Sequence, residues 1–353
     1  MQEIFYDEKY LFCLLSRSCK WQQYYLFFQK HNINNLASLQ EFLQKKSLYD
    51  LDYGKFTNLL KQVEQDYHWQ LKPLNNIVHY VDSLYPHKLK QLADPPAVLY
   101  LKGVVELLTY NKLIAIVGAR KASPYGIQVA SEFSDRLSNN KIIIVSGLAF
   151  GIDISCHVAC LNNALPSIAI MPAGLEHITP KSHLKISEKI AKTGLLLSEV
   201  APFVSPKPYH FPKRNRLISG ISDGVLVIEA RPKSGSLITA QHAIEQNKPL
   251  MVVPGAIYNP LAEGCLQLIK EGAACVSSVE DVLAELRFDH YVMADEQAKL
   301  INVVLDAIGF SVTSIDKIVE VTGLPMTRVI TEIVKLNQHG YIYPWCGGWM
   351  RAK

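Results

Sequence analysis

No apolar run in these 353 residues approaches the roughly 18 that a membrane-spanning helix needs. The N-terminus also lacks the basic and apolar segments of a signal peptide, so the expected compartment is the cytoplasm, with no membrane partner. The seven cysteines form no C-x-x-C pair, and an odd number argues against a disulfide framework. Cys156, His157 and Cys160 are close in sequence, but a zinc site needs about four ligands and no second cluster follows. Strong charge is missing too. A formal net charge of +4 excludes a polybasic coat, so any nucleic-acid surface must be a local patch. Neither G-x-G-x-x-G nor the Walker pattern occurs, so neither NAD nor an ATPase is suggested, and no cofactor is implied.

The first 72 residues almost lack glycine and proline and are rich in Leu, Phe, Tyr, Gln and Lys. Tyr10, Leu11, Leu14 and Leu15 form one apolar face at helical spacing, and Phe56, Leu59, Leu60 and Val63 form another, which predicts an all-helical domain over 1–72. Its aromatics interleaved with lysines either contact DNA or make a helical core with ordinary solvated lysines. Residues 76–103, with Val78, Tyr80, Pro86, Pro95, Pro96, Leu99 and Leu101, read as an extended strand and a proline-pinned loop leading into a main sheet. From Leu113, short apolar runs alternate with amphipathic stretches, at 114–117, 142–145, 168–171, 195–197, 225–228 and 250–253. That pattern predicts an α/β domain over 73–290, a doubly wound, mostly parallel sheet with helical crossovers. In 291–353 the expected elements are helices over Leu300 to Ile308, Ser314 to Val321 and Met326 to Asn337, then a hairpin through Tyr343 and Gly348. This is a winged-helix outline. Its basic and acidic residues balance, which leaves protein contact, dimerisation and groove reading all open.

One stretch is of a single sign. Between Val200 and Ser222 there is no carboxylate, while Lys207, Lys213, Arg214 and Arg216 are basic. These cations either solvate a loop or hold an anion, and a guanidinium fork suits a phosphodiester. The run 225–228 then leads through Ser234, Gly235 and Ser236 into a helical pattern, a turn whose N–H groups and hydroxyls favour an anion. Earlier turns are similar. After 114–117 come Gly118, Ala119 and Arg120, then Ser123 as N-cap and Pro124 at N1, so the Arg120 charge and the helix dipole act together. After 142–145, Ser146, Gly147 and Gly151 precede Asp153 and His157, which share one helix face. They are either a general-base dyad or an Asp lining the turn with a His satisfied nearby. After 168–171, Gly174 is followed by Thr179, Pro180 and Lys181.

Ligands of such sheets bind outside the carboxyl ends of the strands. Arg120, Lys181, Lys213, Arg214 and Arg216 leave three crossovers of one sheet and are expected to converge there on one rim. Cations with backbone donors and no metal ligands bind a polyanion and leave it intact, so no catalytic residue is assigned. Single-stranded nucleic acid fits, its bases stacking on Tyr125, Phe150, Tyr209 or Phe211.

The series IVGARKASPYG, VSGLAFGID with His157, SEVAPF, FPKRNRLISG, VLVIEA, SGSLITA, VPG and LIKEGA resembles the DNA-processing protein A family, DprA or Smf. HYVDSLYPHKLKQLADPPAVLYLKG is similar to that family's segment ahead of the sheet. The likeness is dense over about residues 76–285 and looser in the flanks, where it implies an N-terminal SAM-like or helix-hairpin-helix-like domain and a C-terminal winged helix. It implies an extended Rossmann-like core that binds single-stranded DNA, usually as a homodimer, protects it, and helps load RecA during natural transformation. Carried over position by position, the DNA contacts are Arg120, Lys181, Arg214 and Arg216. Gly118, Gly147, Gly151, Ser234, Gly235 and Ser236 shape the pocket. Two positions depart from the family: Thr179 stands where it has a tyrosine, and Leu266 where it has an asparagine.

Two other readings compete. One is a small-nucleotide-binding Rossmann enzyme such as the lysine-decarboxylase-like phosphoribohydrolases, which carry a P-G-G-x-G-T loop and a catalytic glutamate. Here that turn is SGSLITA, and Glu229 is the acid near it. The other is a scaffold whose winged helix binds protein.

Overall fold

The computed structural model describes residues 8–18, 20–46, 53–288, 303–309, 312–338, 341–345 and 347–351. Two compact units divide the chain, Met1–Leu286 and Arg287–Lys353. In the first, α1 (Glu8–Leu15), α2 (Trp21–Lys30), α3 (Leu36–Lys46) and α4 (Tyr53–Gln70) precede β1 (Asn75–His79), α5 (His87–Lys90) and β2 (Val98–Gly103). Tyr10, Leu11, Leu15 and Val63 are buried, as their helical spacing predicts. The side chain of Phe56 lies outside the described residues. Helices α1 and α4 pack on β1. A buried polar tie fixes the seam: Arg17 Nη2 lies 2.7 Å from Asp66 Oδ2, which also accepts from the Tyr100 hydroxyl at 2.8 Å. Each charge is tolerable there only because the other is present.

The apolar runs become β3 (Leu113–Gly118), β4 (Ile143–Ser146), β5 (Ser167–Ile170), β6 (Leu195–Ser198), β7 (Gly224–Ile228) and β8 (Leu250–Val252), followed by β9 (Ala274–Cys275). The sheet order is β1-β2-β6-β5-β4-β3-β7-β8-β9. From β6 to β9 each neighbouring pair is parallel, while β2 joins β6 antiparallel. The crossovers are α6 (Pro124–Asn139), α7 (Ile152–Asn162), α8 (Leu184–Thr193), α9 (His210–Ile221), α10 (Gly235–Glu245) and α11 (Glu263–Lys270).

Side chains alternate between two buried faces. Leu113, Ala115 and Val117 share a core with Leu217, Ile218 and Ile221 of α9 and Ala240 and Ala243 of α10. Ala169, Met171 and Leu196 join Ile190 and Ala191 of α8 in the other. Burial on both faces is why these strands read as continuous apolar runs rather than as alternating ones. The chain winds outward from β3 through β4, β5 and β6, then returns to place β7 on the other side of β3. The loops after β3 and β7 therefore diverge, and a crevice opens between them at the carboxyl edge.

In the second unit, residues 303–307 are helical. Ser314 caps the helix Ile315–Thr322 by accepting from Lys317 N, and the helix Met326–Gln338 leads to β10 (Ile342–Trp345), which pairs antiparallel with β11 (Gly348–Arg351). Val304, Ile318, Val329, Ile333 and Ile342 form its core. Leu300, the side chain of Lys335 and the boundary expected at 290 lie outside the described residues. Among the described residues no helix is long and apolar enough to cross a membrane.

Candidate functional site

The crevice between the β3 and β7 loops is a cleft of about 490 Å³. Gly118, Ala119, Arg120 and Lys121 line one side, Arg231 and Ser234, Gly235 and Ser236 the other, and Arg214 and Asp153 are its most buried charged groups. Arg214 is only 5% exposed and donates from Nη1 to the Ile170 carbonyl at 2.5 Å. Gly147 makes room for it: a Cβ there would sit 2.0 Å from Nη1. Burial lowers the Arg214 pKa to about 10, with Asp153 opposing the fall, so the group remains a cation at neutral pH. Burial raises the Asp153 carboxyl, and Arg214 and the Ala149 N–H, which donates at 3.4 Å, pull it back.

The expected pocket-shaping residues hold neighbouring turns together. Gly151 has φ +75°, and a Cβ on it would meet the Ala119 carbonyl at 2.1 Å, so the second turn closes onto the first. Gly118 lies against the Ile228 carbonyl and Gly174 against that of Ala201. Ser146 donates to the Ile116 carbonyl at 2.6 Å. Ser234 and Ser236 share a hydrogen bond at 2.8 Å at the start of α10, and Gly235 faces open space.

Two exposed cations stand above this frame. The Arg120 guanidinium lies 5.4 Å from the Phe211 ring centroid, in cation–π range. Lys181 opens the short turn Lys181–His183, where the buried His183 ring donates from Nδ1 to the Leu148 carbonyl at 2.9 Å and meets Phe150 at 4.7 Å. Phe150 adjoins Gly151, and a Cβ on Gly151 would sit 2.7 Å from the Arg120 carbonyl, so the two turns run close together. The turns bearing Arg120 and Lys181 are thus linked through packed neighbours. Neither cation has an ion pair among the described residues. Lys213 is half exposed, 3.7 Å from Glu199 Oε2.

Arg216 corrects the expectation of one shared rim. It sits two residues after Arg214 on α9, and at 3.6 residues per turn the two side chains point to nearly opposite sides. Arg216 pairs with Glu199 and lies 3.6 Å from Asp94, and the Arg216 and Glu199 side chains are each 11% exposed. It lines a different cavity, with Lys88, Gln246 and Lys248.

The Asp153–His157 dyad does not form. His157 Nδ1 bonds the Ser167 hydroxyl at 2.9 Å, and burial, reinforced by His183 and Arg214, pushes its pKa down to about 3. Glu229 is also occupied, accepting from the Ser123 N–H at 2.8 Å and from the Ser123 hydroxyl. Its carboxylate pins the end of β7 to the α6 N-terminus, where the dipole favours it. Lys121 and Arg231 line the cleft and are not singled out by sequence reasoning. The signal for Arg231 is its place in Arg231-Pro232-Lys233, directly ahead of Ser234 on the same sheet edge.

These turns fall within residues 76–287, which match the family profile described as DNA recombination-mediator protein A. The chain is similar to the DNA processing protein DprA of Bacillus subtilis, 42% identical over 211 residues, covering 60% of this chain and 71% of that protein. It is also similar to the protein Smf of Escherichia coli, 35% identical over 306 residues, covering 83% of this chain and 82% of that one. Among solved structures, DNA processing protein A from Streptococcus pneumoniae aligns with TM-score 0.65 and 32% identity, over 79% of this chain and 98% of that one. A structure reporting the single-stranded DNA binding mode of DNA processing protein A from Helicobacter pylori aligns with TM-score 0.56 and 31% identity, over 62% and 97%. With the sheet, its glycine turns and the Arg214-lined cleft inside the matched span, the chain belongs to the DNA recombination-mediator protein A family.

Proposed function

We propose that this chain binds single-stranded DNA along the carboxyl edge of its sheet and delivers it, intact, to recombination. The observation that carries this reading is the pair of exposed, unneutralised cations Arg120 and Lys181, from two different crossovers, whose turns are linked by Phe150 and His183 packing. The cations track phosphates, and the exposed rings of Tyr125, Phe150 and Tyr209 offer stacking surfaces for bases. Lys213 adds a partly screened charge, and Arg214 holds the floor. Arg216 acts in this reading as a structural tie.

The occupied side chains favour binding over catalysis. Asp153 turns to a backbone amide, His157 to Ser167 and Glu229 to Ser123. That argues for a non-enzymatic mediator rather than a phosphoribohydrolase. Family membership supports the wider assignment: a helical domain over 1–72, a Rossmann-like core over 73–290 and a winged helix over 291–353, acting in the cytoplasm as a homodimer that assists RecA. The test is a mobility-shift comparison of an oligo-dT strand with a duplex of the same length. Tight binding of the strand, lost in Arg120→Glu with the melting temperature unchanged, is the expected result. Equal binding of both, or an unaffected variant, contradicts it.

A further inference from the structure

The turn that carries Arg120 runs only from the end of β3 to the start of α6, and both of its ends rest on two consecutive residues of β7. Gly118 pairs in register with Ile228. Ser123, the N-cap of α6, gives its N–H to Glu229 at 2.8 Å and its hydroxyl to the same carboxylate. The Ser123 hydroxyl oxygen also accepts from the Gly126 N–H at 3.1 Å, and a Cβ on Gly126 would collide with the Glu229 carboxylate. Glu229 is 5% exposed and sits at φ +54°. A side-chain-bearing residue persists in that left-handed region where its surroundings over-determine it, and such residues gather at functional sites. On its far side the Gly264 N–H donates to the Ala230 carbonyl at 2.8 Å, so the start of α11 clamps the backbone that Glu229 leaves.

We propose that Glu229 and Ser123 are positioning residues for strand binding: their clasp fixes the turn so that the Arg120 guanidinium stands over the carboxyl edge, and neither residue touches the strand. The sequence motifs VLVIEA and IVGARKASPYG are on this account two halves of one device. This deepens the reading of Arg120 as a phosphate contact and rests on it. A cation on a loose loop loses chain freedom when it engages a ligand, whereas one on a loop already held loses less, so the clasp acts through the affinity of that single contact. The sign of the effect sets positioning apart from plain electrostatics. Glu229 carries negative charge near an edge that binds a polyanion, so removing it would tighten binding if its field were all that mattered. Removing a positioning residue weakens binding instead.

The full chain and its variants are titrated with oligo-dT, each well below its melting temperature. Glu229→Ala is expected to weaken binding roughly tenfold, about the worth of one charge-assisted hydrogen bond. Glu229→Gln, whose amide still accepts from the Ser123 N–H and donates to its hydroxyl, is expected to recover most of that. Two double variants separate positioning from general loosening. Combined with Arg120→Gln, the Glu229→Ala loss should vanish, because the contact through which it acts is already gone; combined with Lys181→Gln, on another crossover, the two losses should multiply. The salt slope of Glu229→Ala should flatten by about 0.7, as if Arg120 itself had been removed. Where Glu229→Ala does not fold, Ser123→Ala carries the same cycles with a smaller loss. Unchanged or tighter binding, or a loss that multiplies with Arg120→Gln as it does with Lys181→Gln, overturns the proposal and leaves the single-strand reading standing. An Arg120→Gln variant that binds as tightly as the parent removes both.

Discussion

Arg216→Gln separates a structural arginine from a DNA-contacting one. The Arg216 and Glu199 side chains are both 11% exposed, and removing one partner of a buried pair costs about 3–5 kcal/mol, because the other charge is left unpaired in a poorly solvated site. Lys213 lies 3.7 Å from Glu199 but is half exposed, so it offsets only part of that, and the lower figure, about 3 kcal/mol, applies. In a domain this size each kcal/mol moves the melting temperature by about 2–4 °C, which gives a fall of roughly 10 °C. Burial already raises the Glu199 pKa against the pull of Arg216 and Lys213, and losing Arg216 raises it further. A carboxyl whose folded pKa lies above its unfolded one costs stability as pH rises through that interval. The variant's deficit is therefore full at neutral pH and shrinks on acidification, and Arg216→Gln combined with Glu199→Gln recovers much of it. Calorimetry measures the melting and oligo-dT anisotropy the binding. A variant that melts with the parent but no longer binds the strand would refute this reasoning and make Arg216 a direct contact.

Gly147→Ala places a methyl 2.0 Å from Arg214 Nη1; loss of the bond to Ile170 and displacement of the guanidinium are expected to cost about 2–4 kcal/mol, read as a lower melting temperature together with weaker strand binding. His157, fully buried with its pKa pushed down to about 3, binds its proton less readily folded than unfolded. Its contribution to stability is complete above the unfolded value near 6.5 and is lost as pH falls toward 3. Proton-detected titration of the ring should show a neutral imidazole at pH 5, and a protonated ring there contradicts the burial argument.

Sheet strands were legible because parallel strands covered on both faces must be apolar throughout, and the runs at 114–117 and 225–228 mark β3 and β7 to within a residue or two. The order of the strands was less so. That β2 would extend the sheet beyond β6, antiparallel, depends on packing between segments about 95 residues apart in sequence. Glycine turns showed where loops approach one another, but not that the space beside Gly147 belongs to Arg214. The single-sign stretch after Val200 was a true feature of the sequence with a misleading boundary. Glu199 lies one residue outside it, and the helical phase of α9 turns Arg216 toward that acid and Arg214 toward the cleft. Charge can be counted along a chain, but its neutralisation is a property of three dimensions.

The claim that a rim of free cations on the carboxyl edge holds a polyphosphate strand is tested most directly by the salt dependence of oligo-dT binding. For the parent chain the logarithm of affinity should fall linearly with the logarithm of salt concentration, and the slope should flatten by about 0.7 for each rim cation removed, in Arg120→Gln and again in Arg120→Gln with Lys181→Gln. An unchanged slope in the double variant would mean that these two side chains touch no phosphate and that the strand, if bound, lies elsewhere.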